Sequence, residues 1–280
     1  MRLIPFALLA IFCGWSVATF GDEPSTAVAL AEIPAAVQKT IQDQTGDGKL
    51  GDIDKISDGG ETAYDVELTA KNGQERDVTV NEDGTLSSVE VALAETPAPV
   101  QKSIKTLMSN GGLESINKNL DDSEITYDVA LTKNGREKDF TIAADGTLLS
   151  AEVALFETPG AVQATIAAQL NGGKLENLDK NFDDDGISYD VETAGKDGRE
   201  KNFTVAAGGG LLSVETTLAE LPRPVRKTVK NQIGEGKILE IDKSFVARRG
   251  VLPYEVQGMK DGQPFDFSVG PRGRFLGMDD

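Results

Sequence analysis

The 280-residue chain has no histidine and a single cysteine, Cys13, which lies inside an apolar N-terminal run. The lack of histidine excludes Ser-His-Asp catalysis, and the lack of both residue types excludes ordinary zinc sites. If the N-terminal run is removed, no thiol is left to form a disulfide or to act as a nucleophile. The sequence therefore predicts a protein held together by packing alone, with no catalytic residue and no cofactor.

Aromatic residues and positive charges are also scarce. Aromatics make up 6% of the chain, and its one tryptophan, Trp15, falls in the N-terminal run, so a sugar-stacking cleft is not expected. Acidic side chains number 46 against 28 basic ones, which gives a net charge of −18. Such a surface repels phosphate backbones. We therefore expect no nucleic-acid partner, whereas a cationic protein partner or a metal ion is compatible with the charge.

The N-terminus has the pattern of a secretory signal peptide over residues 1–21. Arg2 supplies the positive start, residues 3–17 are almost wholly apolar, and the small residues Ala18 and Gly21 follow. The apolar run is shorter than a comfortable membrane span, and no second run of this kind occurs. The prediction is a periplasmic or secreted protein with no membrane span after removal of the leader.

The rest of the chain repeats one pattern four times. All four tyrosines recur at nearly constant spacing, and so do one proline, one lysine and one turn glycine of each copy. The positions are Tyr64, Tyr127, Tyr189 and Tyr254; Pro34, Pro97, Pro159 and Pro222; Lys55, Lys118, Lys180 and Lys243; and Gly73, Gly135, Gly198 and Gly262. The predicted repeats span residues 32–95, 96–157, 158–220 and 221–280.

Each copy combines one helical and four strand-like segments. Thr96 and Pro97 read as an N-cap followed by the first helical residue, and Val100 and Ile104 then share one helix face. The segment around Tyr64 alternates apolar with acidic residues, which is typical of a strand with one buried face. Dipeptides such as Asn72-Gly73 predict tight hairpins. The predicted fold class is α+β: four tandem repeats, each one helix packed on a four-stranded antiparallel sheet.

The repeated motifs resemble those of a known family. They are Pro-x-x-Val at the helix start, Gly-Gly-Lys-Leu at residues 172–175, Tyr-Asp-Val in the second strand and Asp-Gly-Thr-Leu before the fourth. This pattern is similar to the PepSY-like, β-lactamase-inhibitor-like domains of secreted bacterial proteins, in four tandem copies. The resemblance implies a secreted or periplasmic, non-catalytic module that binds or restrains proteins such as peptidases.

The loop between the first and second strands of each repeat differs most in charge. It is acidic in the second and third repeats and basic in the fourth, which predicts an interaction surface. The candidate interaction residues are Asp121, Asp122, Asp183, Asp184, Asp185, Arg248 and Arg249. The simpler alternative is that these charges are solvated loop residues with no partner.

Two stretches partly match a calcium-binding loop. The first is residues 43–48 followed by Asp54, and the second comprises Asn181, Asp183, Asp185, Gly186 and Glu192. In the repeat pattern, however, the first stretch is a helix-to-strand turn and Glu192 belongs to a strand. The sequence thus favours a non-catalytic protein-binding role, for example recognition or restraint of a secreted peptidase. The alternative is a structural or calcium-binding protein of the cell envelope.

Overall fold

The computed structural model describes residues 25–58, 61–120, 124–133, 135–183, 186–196, 198–247, 250–260 and 263–278. The predicted signal peptide lies outside these residues. The chain divides between Ala151 and Glu152 into two compact units. The described residues include four α-helices of equal length, two in each unit: α1 Ala35–Thr45, α2 Ala98–Met108, α3 Gly160–Leu170 and α4 Arg223–Ile233.

Seventeen strands account for most of the remaining described residues. The first unit holds β1 Thr26–Ala27, β2 Lys49–Asp58, β3 Glu61–Thr69, β4 Glu75–Asn81, β5 Leu86–Glu90, β6 Gly112–Leu120, β7 Ile125–Lys133, β8 Arg136–Ala143 and, ending at the boundary, β9 Leu148–Glu152. The second unit holds β10 Lys174–Asp183, β11 Gly186–Ala194, β12 Glu200–Ala206, β13 Leu211–Glu215, β14 Lys237–Ser244, β15 Tyr254–Lys260, β16 Gln263–Val269 and β17 Phe275–Met278.

The prediction of a separate four-stranded sheet under each helix is wrong. Within each unit the strands form one continuous antiparallel sheet, because the fourth strand after one helix pairs with the first strand after the next helix. In the first unit β5 pairs with β6, and in the second unit β13 pairs with β14. A strand edge exposes unpaired N–H and C=O groups, and a neighbouring strand satisfies them. The four domain boundaries proposed from the sequence remain a prediction.

Each helix covers its own cluster of buried apolar side chains. In α1, Val37 and Ile41 are fully buried against Val66, Val78 and Val80 of the sheet. The corresponding helix pairs are Val100 with Ile104, Val162 with Ile166, and Val225 with Val229. Residues four apart lie on one face of a helix, so each helix presents a single apolar stripe to the strands.

The helix ends differ in detail from the prediction. The prolines occupy the N-cap position, so α2 begins at Ala98, one residue later than expected. Thr96 is not the cap, because its hydroxyl donates to the carbonyl of Leu93 in a preceding 3-10 turn. The carboxylate of Glu95 in that turn accepts the backbone N–H of Ala92 at 2.7 Å. A glutamate carboxylate accepts a backbone N–H in the same way before each of the other three helices, which fixes the direction in which the chain enters the helix.

A hydroxyl on each helix joins it to a turn of the sheet. Thr40, Ser103, Thr165 and Thr228 each donate to a glycine carbonyl at 2.6 Å, and the acceptors are Gly84, Gly146, Gly209 and Gly273. These glycines have φ near +85°, a conformation that favours glycine. Within the described ranges, no helix is both long enough and apolar enough to cross a membrane.

Candidate functional site

The face of the sheet opposite the helices carries ordered polar side chains. In β3, β4 and β5, the hydroxyl of Thr79 donates to Asp65 at 2.7 Å, and Ser88 donates to the Thr79 oxygen at 3.0 Å. The second unit repeats this chain of bonds: Thr204 donates to Asp190 at 2.8 Å, and Ser213 donates to Thr204 at 3.2 Å. Strand alternation places these residues on the face away from the apolar clusters.

Asparagine side chains donate hydrogen bonds to Asp190 and to Asp128, which has the corresponding position on β7. Asn119 of β6 donates to Asp128 at 2.7 Å, and Asn181 of β10 donates to Asp190 at 2.5 Å. The hydroxyl of Thr141 completes the shell of Asp128 at 2.8 Å. Burial nevertheless raises the pKa of Asp128, because losing solvent disfavours the charged form more than these bonds favour it.

The second unit has the densest group of carboxylates, which we call the carboxylate row. It consists of Glu215 on β13, Glu240 and Asp242 on β14, and Glu255 on β15. Asp242 lies directly opposite Glu215 on one side and Glu255 on the other. Glu240 is two residues from Asp242 on the same strand and so faces the same side. Like charges directly opposite one another destabilise a sheet.

Burial and neighbouring charge act together on this row. Asp242 is only 7% exposed, and burial is the main reason that its pKa rises to about 7. The charges that raise the pKa further are the carboxylates of Glu240, Glu255 and Glu215. The pKa of Glu240 is also raised, again mainly by burial. Near neutral pH, Asp242 is therefore only partly ionised.

A similar aspartate occurs on β10. Asp179 lies directly opposite Asp190 on β11. The pKa of Asp179 is raised to about 7, mainly by burial and then by the carboxylates of Glu192 and Asp190. The Asn177 side chain opposes this rise by donating to Asp179 at 2.8 Å. The second unit thus carries two carboxyl groups that titrate around neutral pH.

Shallow grooves lie beside the two strand joints. One of about 240 Å³ lies at the joint of β5 and β6 and is lined by residues including Glu90, Val91 and Ile116. The other, of about 290 Å³, lies at the joint of β13 and β14 and is lined by residues including Glu215 and Phe245. The second groove lies on the helix side of the sheet, because Gln169 of α3 and Val214 of the α3 cluster line it, and Lys201 and Lys243 line it as well.

No family model and no curated protein matches the chain. Solved structures resemble it in part. One is a DUF2874 family protein from Bacteroides uniformis, with 19% identity, 41% of this chain and 86% of that chain covered, and a TM-score of 0.33. A BLIP-like protein from Bacteroides fragilis has 19% identity, coverages of 42% and 84%, and a TM-score of 0.32.

A third structure, from Bacteroides thetaiotaomicron, carries the provisional name of a calcium-regulated periplasmic protein. Its identity to this chain is 21%, its TM-score is 0.31, and 48% of this chain and 100% of that chain are covered. At TM-scores of 0.31 to 0.33, these likenesses assign the chain to no family. The resemblance to PepSY-like domains therefore remains a prediction from the sequence.

Of the predicted interaction residues, the structure describes only Asp183. It is exposed at the end of β10, where its carboxylate accepts the Ser188 hydroxyl at 3.4 Å. The other six candidates lie outside the described residues: Asp121, Asp122, Asp184, Asp185, Arg248 and Arg249. The predicted loop surface stays a prediction, and the carboxylate row is a different site, on the strands themselves.

The first calcium-like stretch is arranged differently from a calcium loop. Asp43 pairs with Lys39 on α1 at 2.6 Å, and Asp47 is 3.5 Å from Lys71. Asp54 belongs to β2, where it pairs with Ala27. In the part of the chain that the structure describes, no group of three or more acidic, cysteine or histidine residues is arranged to hold a metal ion.

The repeat pattern contained a signal for the carboxylate row that composition alone did not give. Asp54, Asn117, Asp179 and Asp242 occupy one position of the four copies, next to the repeated lysine. Its neighbour across the strand pair is Asp65, Asp128, Asp190 or Glu255. Aligning the copies would have placed two acidic columns side by side on one face.

Proposed function

We propose that the chain is an exported, non-catalytic binding protein that recognises a basic surface of a secreted protein through the carboxylate row. The observation that carries this proposal is the position of Asp242, which is 7% exposed and lies directly between Glu215 and Glu255, where burial strengthens the repulsion between carboxylates. A lysine or arginine from a partner would relieve that repulsion. The free energy gained would contribute to binding.

The position of the row on paired strands supports a flat protein partner over a small molecule. The row lies on strands, whose backbone positions are fixed on both sides by cross-strand pairs.

The test is titration of the full chain with a lysine-rich peptide, followed by calorimetry. The double variant Asp242→Asn/Glu240→Gln should bind about five- to tenfold more weakly than the parent. The matched control is Asp47→Asn/Asp52→Asn, which also replaces two carboxylates with amides, at exposed positions of the first unit. Equal weakening in both variants would mean that the peptide senses only net charge, and the proposal would fail.

Binding should also depend on pH in a defined direction. A bound cation lowers the pKa of Asp242, so binding releases protons when the free row is partly protonated. Affinity should therefore rise between about pH 6 and about pH 8, and it should fall as salt is added. Affinity that is independent of pH over this range would contradict a role for Asp242.

A peptidase is the more specific partner that the resemblance to PepSY-like domains suggests. Cross-linking of the full chain in envelope extract, followed by mass spectrometry, would identify the partner. If that partner is a peptidase, its activity should fall on adding the parent chain and fall less with the Asp242→Asn variant. Export agrees with the predicted leader, and periplasmic is also the location in the provisional name of the Bacteroides thetaiotaomicron protein.

Thermal melts with calcium and with a chelator separate this proposal from the calcium-binding alternative. An ion that binds only the folded state raises the unfolding midpoint. Asp43 and Asp47 already contact lysines, so we expect no difference between the two melts. A calcium-dependent rise would favour the alternative.

A further inference from the structure

The strand joints inside each unit show how this sheet accepts a new strand. The outer edge of β5 pairs with β6 through Ser88↔Asn119, Val89↔Lys118 and Glu90↔Asn117. The outer edge of β13 pairs with β14 in the same register, through Ser213↔Ser244, Val214↔Lys243 and Glu215↔Asp242. Val89 is only 8% exposed at such a joint. The outer edge of the fourth strand of one repeat thus pairs with the first strand of the next repeat.

Strand β17 has the same place after α4 that β5 has after α1. It pairs with β16 through Phe267↔Met278, as β5 pairs with β4 through Val78↔Val89. Among the described residues, no strand pairs with the other edge of β17. Met278 is 53% exposed at the position where Val89 is 8% exposed. The edge of β17 is therefore an apolar, unpaired strand edge, which readily pairs with a further strand.

Strand β2 is the complementary element at the other end of the described chain. Its outer edge pairs with β1 through Thr26↔Lys55 and Ala27↔Asp54, and the N–H of Val28 donates to the Ile53 carbonyl at 2.9 Å. This is the register that β5 keeps with β6, where the N–H of Val91 donates to the Ile116 carbonyl at 2.8 Å. Strand β1 thus imitates a fourth strand with only two residues, both exposed.

We propose that β17 of one molecule pairs with β2 of a second molecule of the same chain, which displaces β1 and joins the two molecules head to tail. The strand that pairs with β17 is β2 of a second molecule, because β2 resembles β14: Asp54-Lys55 of β2 corresponds to Asp242-Lys243 of β14. Inside the second unit, β14 pairs with the equivalent edge, that of β13. In the shared register, Met278 lies opposite Lys55 of the second copy. Strand β1 then acts as an internal competitor that keeps the association weak.

Two substitutions in the full chain change this association in opposite directions. Met278→Lys places a charge on the edge of β17 and should weaken self-association at least about tenfold. Val28→Pro removes the N–H that holds the end of β1 on β2, so it should strengthen self-association. Sedimentation velocity over roughly a hundredfold range of concentration measures both, with circular dichroism to confirm that each variant is folded. Association that is unchanged in both folded variants overturns the proposal, as does a monomer at every concentration in both parent and Val28→Pro.

Cysteine cross-linking identifies the strands that meet. With Cys13 in the predicted leader, single-cysteine chains carrying Lys55→Cys or Met278→Cys can be mixed, one of them tagged so that its mass differs. Directly opposed residues of antiparallel strands can form a disulfide. The expected product joins one chain of each kind. A product made mainly of two Met278→Cys chains would show a symmetric β17–β17 contact and overturn the head-to-tail arrangement.

Discussion

Replacing Asp242 with asparagine should stabilise the chain at neutral pH and leave its stability unchanged in acid. Asp242 is 7% exposed and lies directly between Glu215 and Glu255. Burial, followed by the charge of Glu240, raises its pKa to about 7. Asparagine keeps the size of the side chain and removes the charge. The first unit already holds Asn117 at the equivalent position, opposite Glu90 and Asp128.

The size and sign of the effect follow from the proton balance of folding. The pKa of Asp242 is about 7 in the folded chain, against an ordinary value of 3.8. Well below pH 3.8, near about pH 3, both states hold the proton, so the carboxyl group costs nothing. As pH rises, the unfolded chain ionises first, and the free energy of unfolding falls until the folded pKa is passed. This gap corresponds to about 4 kcal/mol, and because Glu240 shares the repulsion we expect asparagine to recover about 2 kcal/mol.

Urea unfolding of the full chain, followed by tyrosine fluorescence and circular dichroism, measures this gain. The parent and Asp242→Asn should unfold at the same urea concentration near about pH 3, differ slightly near about pH 4 and separate near about pH 7.5. The control is Asp52→Asn, which removes one charge from an exposed position of β2. An equal gain in the control, or a gain for Asp242→Asn that is as large at pH 4 as at pH 7.5, would refute this reasoning.

Three further predictions concern the second unit and use the same unfolding assay. Thr165→Val removes the 2.6 Å bond to the Gly209 carbonyl and should lower the free energy of unfolding by about 1 kcal/mol; an unchanged urea midpoint would mean that the bond adds no stability. Gly209→Ala should lower the free energy of unfolding by about 2–3 kcal/mol, because φ is +86° and a Cβ would lie 2.8 Å from the Ala161 carbonyl. Gly198→Ala, at φ +76° in open space, should lower it by about 1 kcal/mol. Equal losses at the two glycines would argue against the steric contact. Ile166→Ala empties a fully buried position and should cost about 2–5 kcal/mol, and a loss below 1 kcal/mol would show that the helix–sheet cluster closes around the gap.

Local patterns predicted the local structure well. The apolar spacing of Val100 and Ile104 identified the buried face of α2, and the alternation around Tyr64 identified β3. The pairing of β5 with β6 was missed, because it joins segments that belong to different copies and no local signal marks the outer edge of a strand. Thr96 was misread as a cap, since a 3-10 turn before the helix uses its hydroxyl.

The carboxylate row was missed for a related reason. Alternation assigned its residues to a wet face, which is correct for a narrow sheet with open edges. Asp242 instead lies on a strand that has a neighbour on each side, so the side chains of β13 and β15 cover it. Burial of a polar residue in a wide sheet thus depends on strand order, and strand order was the part of the fold that the sequence pattern left undetermined.

The four copies also allow stability and function to be separated. The fold accepts Asn117 at a position where the other copies carry Asp54, Asp179 and Asp242, so packing does not require a carboxylate there. In the second unit that carboxylate lies beside other carboxylates, at a cost in stability that grows as pH rises from about 4 to about 7. A costly group that the fold does not need is a candidate for binding. If Asp242→Asn proves more stable and binds a basic peptide as tightly as the parent, the carboxylate serves neither purpose, and the site must be sought elsewhere on the sheet.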